Sequence, residues 1–126
     1  MWKIEKVAAD GREPVAVVSL GEGGEVIGDV QSALDMMATV RYETDCDRIA
    51  IDKTLLDERF FDLKTGLAGE IVQKFVNYHV KFAIVGDFSG YESRSLRDFI
   101  YECNQGSDLF FLPTERQAVE KLGATR

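Results

Sequence analysis

The chain is poor in the residues that many enzymes and metal sites draw on. It has one histidine, His79, in 126 residues. A histidine-rich metal site within one chain is therefore excluded, and a Ser-His-Asp triad would have to use His79 as its base. Yet His79 ends the run Asn77-Tyr78-His79, whose polarity between a helical and a strand pattern predicts a surface turn. Two cysteines are present, Cys46 and Cys103, without Cys-x-x-Cys spacing. Cys103 falls on an apolar helical stripe and reads as a small buried hydrophobe, whereas Cys46 precedes a strand and is expected to be partly exposed. A reduced, cytoplasmic setting suits both.

Positive charge is also scarce. Lys and Arg number 15 against 22 Asp and Glu, a formal net charge of -7. That field repels phosphate backbones and anionic lipid, and no basic run offsets it locally, so neither nucleic acid nor a membrane surface is an expected partner. No apolar run approaches membrane-spanning length. The start, Met1-Trp2-Lys3-Ile4-Glu5, meets charge at once and predicts no signal peptide. What is abundant is ordinary core material, 45% hydrophobic residues, in a length that suits one domain over residues 1–126.

The patterning predicts alternating elements. Lys3 to Ala9 and Val15 to Val18 read as strands joined by an Asp10-Gly11 turn, a hairpin. Gly21 to Gly28 reads as a flexible connector. Asp29 caps a helix to about Glu43, with Val30, Leu34, Met37 and Val40 at helical spacing. Arg48 to Asp52 is a strand, and Lys53 to Leu63 has no clear period, with Phe60-Phe61 as its anchor. Thr65 to Tyr78 is a helix whose apolar stripe is Leu67, Ala68, Ile71, Val72, Phe75 and Val76, with Glu70 and Lys74 paired on the wet face. Val80 to Gly86 is a strand covered on both faces. Ser93 to Asn104 is a helix, Asp108 to Leu112 the last strand, and Thr114 with Gln117 opens a final helix. The fold class is α/β, a single mixed, mostly parallel sheet with an N-terminal hairpin, in the order β-β-α-β-α-β-α-β-α.

Three sets of residues carry possible chemistry. The glycines of 21–28 lack nucleotide-binding form: the Lys and Ser/Thr slots of a P-loop hold Asp29 and Val30, and Glu22, Glu25 and Asp29 would repel a pyrophosphate. Asp52, Lys53, Asp87, Ser89 and Tyr91 follow parallel strands, where ligands of open α/β sheets bind. Asp52, Asp62 and Asp87 have the oxygen ligands a hard cation takes, but carboxylates and hydroxyls at such places usually cap helices, as Asp62, Thr65 and Ser93 are placed to do. Arg94 and Arg97 lie a turn apart near a helix start, where the dipole does not favour them. Arg94 has Asp98 as an i, i+4 partner, and an anion or acidic-partner contact is the alternative.

Phe60-Phe61-Asp62-Leu63-Lys64-Thr65-Gly66-Leu67-Ala68-Gly69-Glu70 and Ala83-Ile84-Val85-Gly86-Asp87-Phe88-Ser89 resemble a small bacterial family, the Domain of Unknown Function 4180 family. Ser95-Leu96-Arg97-Asp98-Phe99-Ile100-Tyr101-Glu102 is similar to it too. The resemblance implies the fold and no activity. Lys64-Thr65-Gly66-Leu67-Ala68 also resembles the start of a key helix in STAS domains, the anti-sigma-factor-antagonist type. Their motif carries a serine that a partner kinase phosphorylates, and Thr65 stands in its slot. Here the acidic residue lies three positions earlier, at Asp62, and Lys64 directly precedes Thr65.

The resulting expectation is a non-enzymatic regulatory or protein-interaction domain of STAS-like architecture. Its surface would comprise Asp62, Thr65, Asp87, Ser89, Tyr91, Arg94 and Arg97. Two alternatives stay open: a small enzyme or ligand-binding module at the strand rim, and a homo-oligomer built through a sheet edge or exposed aromatics such as Trp2. No metal or cofactor is expected.

Overall fold

Five short apolar runs pair in the order in which the chain presents them. The computed structural model describes residues 2–8 and 11–125. Strands β1 (Lys3–Val7), β2 (Val15–Ser19), β3 (Arg48–Asp52), β4 (Lys81–Val85) and β5 (Leu109–Leu112) form one sheet in the order β1-β2-β3-β4-β5. β1 runs antiparallel to β2 and the other pairs are parallel. Helices α1 (Val30–Thr44), α2 (Leu67–Asn77), α3 (Arg94–Gln105) and α4 (Glu115–Ala124) alternate with them as the patterning predicts. Ala9 and Asp10, at the expected strand end and hairpin turn, lie outside the described residues. Gly11 has φ 73°, the left-handed conformation such a turn demands.

The connections β2-α1-β3, β3-α2-β4 and β4-α3-β5 each step one strand in the same direction. Crossovers of one hand that step one way must lie on one face of the sheet. Accordingly Ala33, Met36 and Val40 of α1, Ile71 and Phe75 of α2, and Leu96 of α3 share one cluster with Ile49, Ile51, Phe82, Ile84 and Phe111. The Phe75 and Phe82 rings stack there with centroids 3.9 Å apart. Among the described residues the opposite face carries α4 alone, whose Ala118 and Leu122 meet Val15, Ala50, Ala83 and Phe110. Ala50 and Ala83 are register partners, so small residues lie side by side beneath that helix.

The expected caps form. Asp29 accepts from Ser32 N at 2.7 Å while the Ser32 hydroxyl accepts from Asp29 N, a reciprocal box. Ser93 accepts from Leu96 N, and Thr114 from Gln117 N.

Several expectations need correction. Cys46 is buried at 3% exposure, in the core cluster that α1 shares with β3, and its N–H donates to Thr44 Oγ1 at 3.2 Å. Residues 21–28 are anchored: Ile27 is buried and bridges Leu56, and Gly24 N bonds Gly21 O. Val76 is exposed, so the α2 stripe is narrower than its sequence. Glu70 and Lys74 form no ion pair, and the Gln73–Asn77 bond at 2.8 Å occupies that face. Trp2 packs against the core and donates Nε1–H to Glu25 O at 2.7 Å.

The β5 edge is sealed by a side chain. Asn104 Oδ1 accepts from Phe111 N at 2.7 Å, and its Nδ2 donates to Phe111 O at 3.2 Å. The amide thus takes the place of a sixth strand. Asn104→Leu leaves both backbone groups unpaired, and should lower stability by ~1–3 kcal/mol. Denaturation with light scattering should show an earlier transition and increased association. An unchanged midpoint would mean that Asn104 does not seal the edge.

Candidate functional site

Three aspartates spaced five residues apart organise the segment that lacks a sequence period. Lys53–Leu55, Glu58–Phe61 and Leu63–Thr65 are short 3-10 helices, begun by Asp52, Asp57 and Asp62 respectively. Asp52 Oδ1 accepts from Thr54 N at 2.9 Å, Asp57 Oδ1 from Arg59 N at 2.9 Å, and Asp62 Oδ1 from Lys64 N at 3.3 Å. Each carboxylate closes a turn two residues ahead. Asp87 does the same after β4, accepting from Ser89 N at 2.9 Å and Ser89 Oγ at 2.7 Å. The Ser89 hydroxyl, more than its N–H, holds the Asp87 carboxyl below its ordinary value. The Arg59 side chain does likewise for Asp57. Folded values depressed in this way mean that the contribution of these turns is present above the ordinary carboxylate pKa. It fades as pH falls through the depressed one. Asp52, Asp62 and Asp87 are therefore each engaged locally. Among the described residues, no group of three or more His, Cys, Asp or Glu side chains is placed to hold a metal ion.

Lys53 leaves the end of β3 and runs across Gly86 at the end of β4. A Cβ on Gly86 would lie 2.8 Å from the Lys53 Cβ and 3.1 Å from its Cδ. The bare glycine lets the lysine stem lie flat, which delivers Nζ to Asp87 O at 3.2 Å. There it sits 4.5 Å from the Tyr91 ring centroid, 5.8 Å from Phe61 and 5.9 Å from Phe88. Three aromatic rings thus surround one ammonium, the arrangement of a cation–π contact. Tyr91 stacks on Phe61 at 5.2 Å and donates its hydroxyl to Glu58 at 3.1 Å. Burial foremost, with Glu58 assisting, raises the Tyr91 phenol above its ordinary value. Gly86→Val should displace the lysine and cost ~1–3 kcal/mol by overpacking. Gly90→Ala, with nothing within 4 Å of a Cβ, should stay within ~0.5 kcal/mol. Paired thermal melts test this, and equal melts for the two variants would rule out a fitted lysine.

Thr65 is exposed at the approach to α2. Its hydroxyl lies 2.8 Å from both Arg59 O and Asp62 O, and it accepts from Leu67 N at 3.3 Å. Gly66 between them is left-handed, φ 77°. Beside Thr65 a hollow of about 250 Å³ lies where α1 and α2 begin, lined by Gly28, Asp29, Arg59, Leu67 and Glu70. Arg97 turns back to the loop before its own helix, its Nε 3.4 Å from Tyr91 O and its Nη2 3.5 Å from Glu92 O. Arg94 makes no side-chain hydrogen bond or ion pair among the described residues, so the Arg94–Asp98 pair does not form. His79 sits exposed in a left-handed turn, φ 57°, as its polar surroundings predict. The Cys103 thiol is pushed up to about 11 by burial against the core.

The candidate residues thus do not share one centre. All but Arg94 are linked by contacts along a ridge whose middle is the Glu58–Phe61 turn. Arg59 O meets Thr65 on one side, and Glu58 meets Tyr91 on the other. Glu58, Arg59 and Gly86 escaped the sequence reading, although the five-residue aspartate spacing signals the turns that place the first two. A hollow of only about 60 Å³, lined by Val17, Asp52, Val85 and Glu115 among others, lies at the carboxyl ends of the strands. Metabolite pockets usually hold ~300–1,000 Å³.

A family model described as Domain of unknown function (DUF4180) matches residues 12–122. No curated protein and no solved structure matches the chain.

Proposed function

The chain belongs to the DUF4180 family, and we propose that it acts as a non-enzymatic regulatory and protein-interaction domain of STAS-like architecture. Its contact surface in this reading is the ridge from Thr65 through the Glu58–Phe61 turn to the 87–97 loop. The observation that carries the reading is the continuity of that ridge. The Thr65 hydroxyl bonds the carbonyl of Arg59, whose neighbour Glu58 holds Tyr91. A phosphoryl group on Oγ1 replaces the proton those carbonyls accept and adds nearly two negative charges. The turn then loses its tie to α2, and the change reaches Tyr91 through Glu58. The carboxylates and phenol of the rim are engaged in turns and stacking, which favours contact over catalysis. The chain's acidic excess points to a partner surface with basic groups.

Affinity capture of host proteins on the purified chain tests this. Thr65→Asp should change the set of captured proteins, and Arg97→Glu should deplete it. Thr65→Ser, which keeps the hydroxyl, should leave it as in the native chain. The reading fails if all four baits capture the same proteins in the same amounts.

A further inference from the structure

We propose that the open edge of β1 is the contact through which two copies of this chain pair, antiparallel about Ile4, joining their sheets into one. The two edges of the sheet are unlike. At the β5 edge the backbone of Phe111 is met by the Asn104 amide. β1 pairs with β2 alone, so one whole side of its backbone has no strand beside it. Lys3, Glu5 and Lys6 of this strand are exposed. Ile4 is half-buried and packs against the cluster on the face that carries α1, α2 and α3. Charged side chains on an edge commonly keep it single. Here their order is complementary to its own reverse.

Two antiparallel edge strands related by a two-fold axis normal to the sheet have that axis at one residue, which meets its own copy. Residues equally far before and after it then stand directly opposite, on the same face of the joined sheet. With the axis at Ile4, Lys3 of each copy stands opposite Glu5 of the other. Lys3 Nζ already lies 3.4 Å from Glu5 within its own strand. Each lysine of the joined edge therefore has one carboxylate beside it and one across from it. On the other face Ile4 meets Ile4, which extends the core cluster across the boundary. Trp2, one residue before the strand, stands opposite Lys6, an aromatic face for an ammonium. The other registers lack this match. An axis at Lys3, Glu5 or Lys6 sets that charge against itself, which destabilises a cross-strand pair. An axis at Val7 leaves Lys3 to Lys6 beyond the last residue of the other strand. β1 holds two lysines and one glutamate, so the acidic excess behind the net charge of -7 lies elsewhere on the chain. A strand added to an open edge takes its affinity from main-chain hydrogen bonds and its register from such side-chain pairs.

Sedimentation velocity over a concentration series, with circular dichroism to confirm folding, tests the pairing. The native chain should dimerise reversibly. Lys3→Glu and Glu5→Lys should each weaken the dimer at least ~10-fold, since each sets like charges opposite one another. Both side chains are largely exposed, at 66% and 58%, so both variants should fold. Mixed in equal amounts, the two variants should pair with each other about as well as the native chain pairs with itself. Every lysine of that mixed dimer again has a carboxylate opposite. Amide exchange in β1 should slow as concentration rises, while exchange in β5 should not change. A native chain that stays monomeric up to ~1 mM overturns the proposal. So does a dimer indifferent to Glu5→Lys, or a pair of variants that fails to associate on mixing.

Discussion

Replacing Phe60 with alanine should lower the free energy of unfolding by ~3–5 kcal/mol, as for other fully buried aromatics. The side chain is 0% exposed and meets Phe61 edge-on, with centroids 5.2 Å apart. It belongs to the core cluster that joins α1, α2 and the sheet. Its neighbours cannot close the space easily. The adjoining turns are held by Asp57 and Asp62, and Ile27 N bonds Leu55 O at 2.7 Å while Asp57 N bonds Ile27 O at 3.0 Å. A relaxed cavity would require those bonds to move. Domains have only ~5–15 kcal/mol in total, so the variant should lose a large share of its margin of stability. Urea denaturation followed by circular dichroism reads the loss directly. A loss below ~1 kcal/mol would show that the segment is peripheral to the core, contrary to its burial.

The second large effect is expected at Arg48. Its side chain is 12% exposed, and Nη1 donates to Leu122 O and Thr125 O, carbonyls at the end of α4. A guanidinium there satisfies groups that a helix terminus leaves open and complements the negative end of its dipole. Arg48→Met keeps most of the apolar stem and removes the charged donors. With hydrogen bonds to charged groups contributing ~1.5–3 kcal/mol each, a loss of about 3 kcal/mol is expected. The effect should be local before it is global. Amide exchange should quicken across Glu115–Ala124 while α1, α2 and the strand centres keep their protection. Unchanged protection in α4 would mean that the arginine only decorates its end.

The order of elements was legible because each depends on near neighbours. Caps at Asp29, Ser93 and Thr114 act within three residues, and apolar stripes repeat within two turns. Family resemblance was legible for the same reason, since Phe60–Glu70 and Ala83–Ser89 are contiguous strings. The Lys53–Leu63 stretch was not, because 3-10 turns of three or four residues carry no stripe to count. Its content lay in the interval between Asp52, Asp57 and Asp62. The remaining misses concern where long side chains go. Lys53 crosses to the loop after β4, Tyr91 reaches Glu58 across 33 positions, and Asn104 doubles back on Phe111. Each choice is decided by a tertiary neighbour rather than by local sequence. The same holds for Arg97, which prefers two loop carbonyls to a helical partner.

The strand order has a consequence for synthesis. Because β2 to β5 are laid down one after another, each strand emerging from the ribosome finds its partner already made. Little loop-closure entropy is spent at any step, which favours quick, vectorial assembly. The exception is the face that α4 covers. Until Glu115–Ala124 has emerged, Val15, Ala50, Ala83 and Phe110 face water together. A nascent chain stalled before that helix would be paired throughout its sheet yet sticky on one side. In that interval a chaperone, or a neighbouring nascent chain, would have an apolar surface to seize.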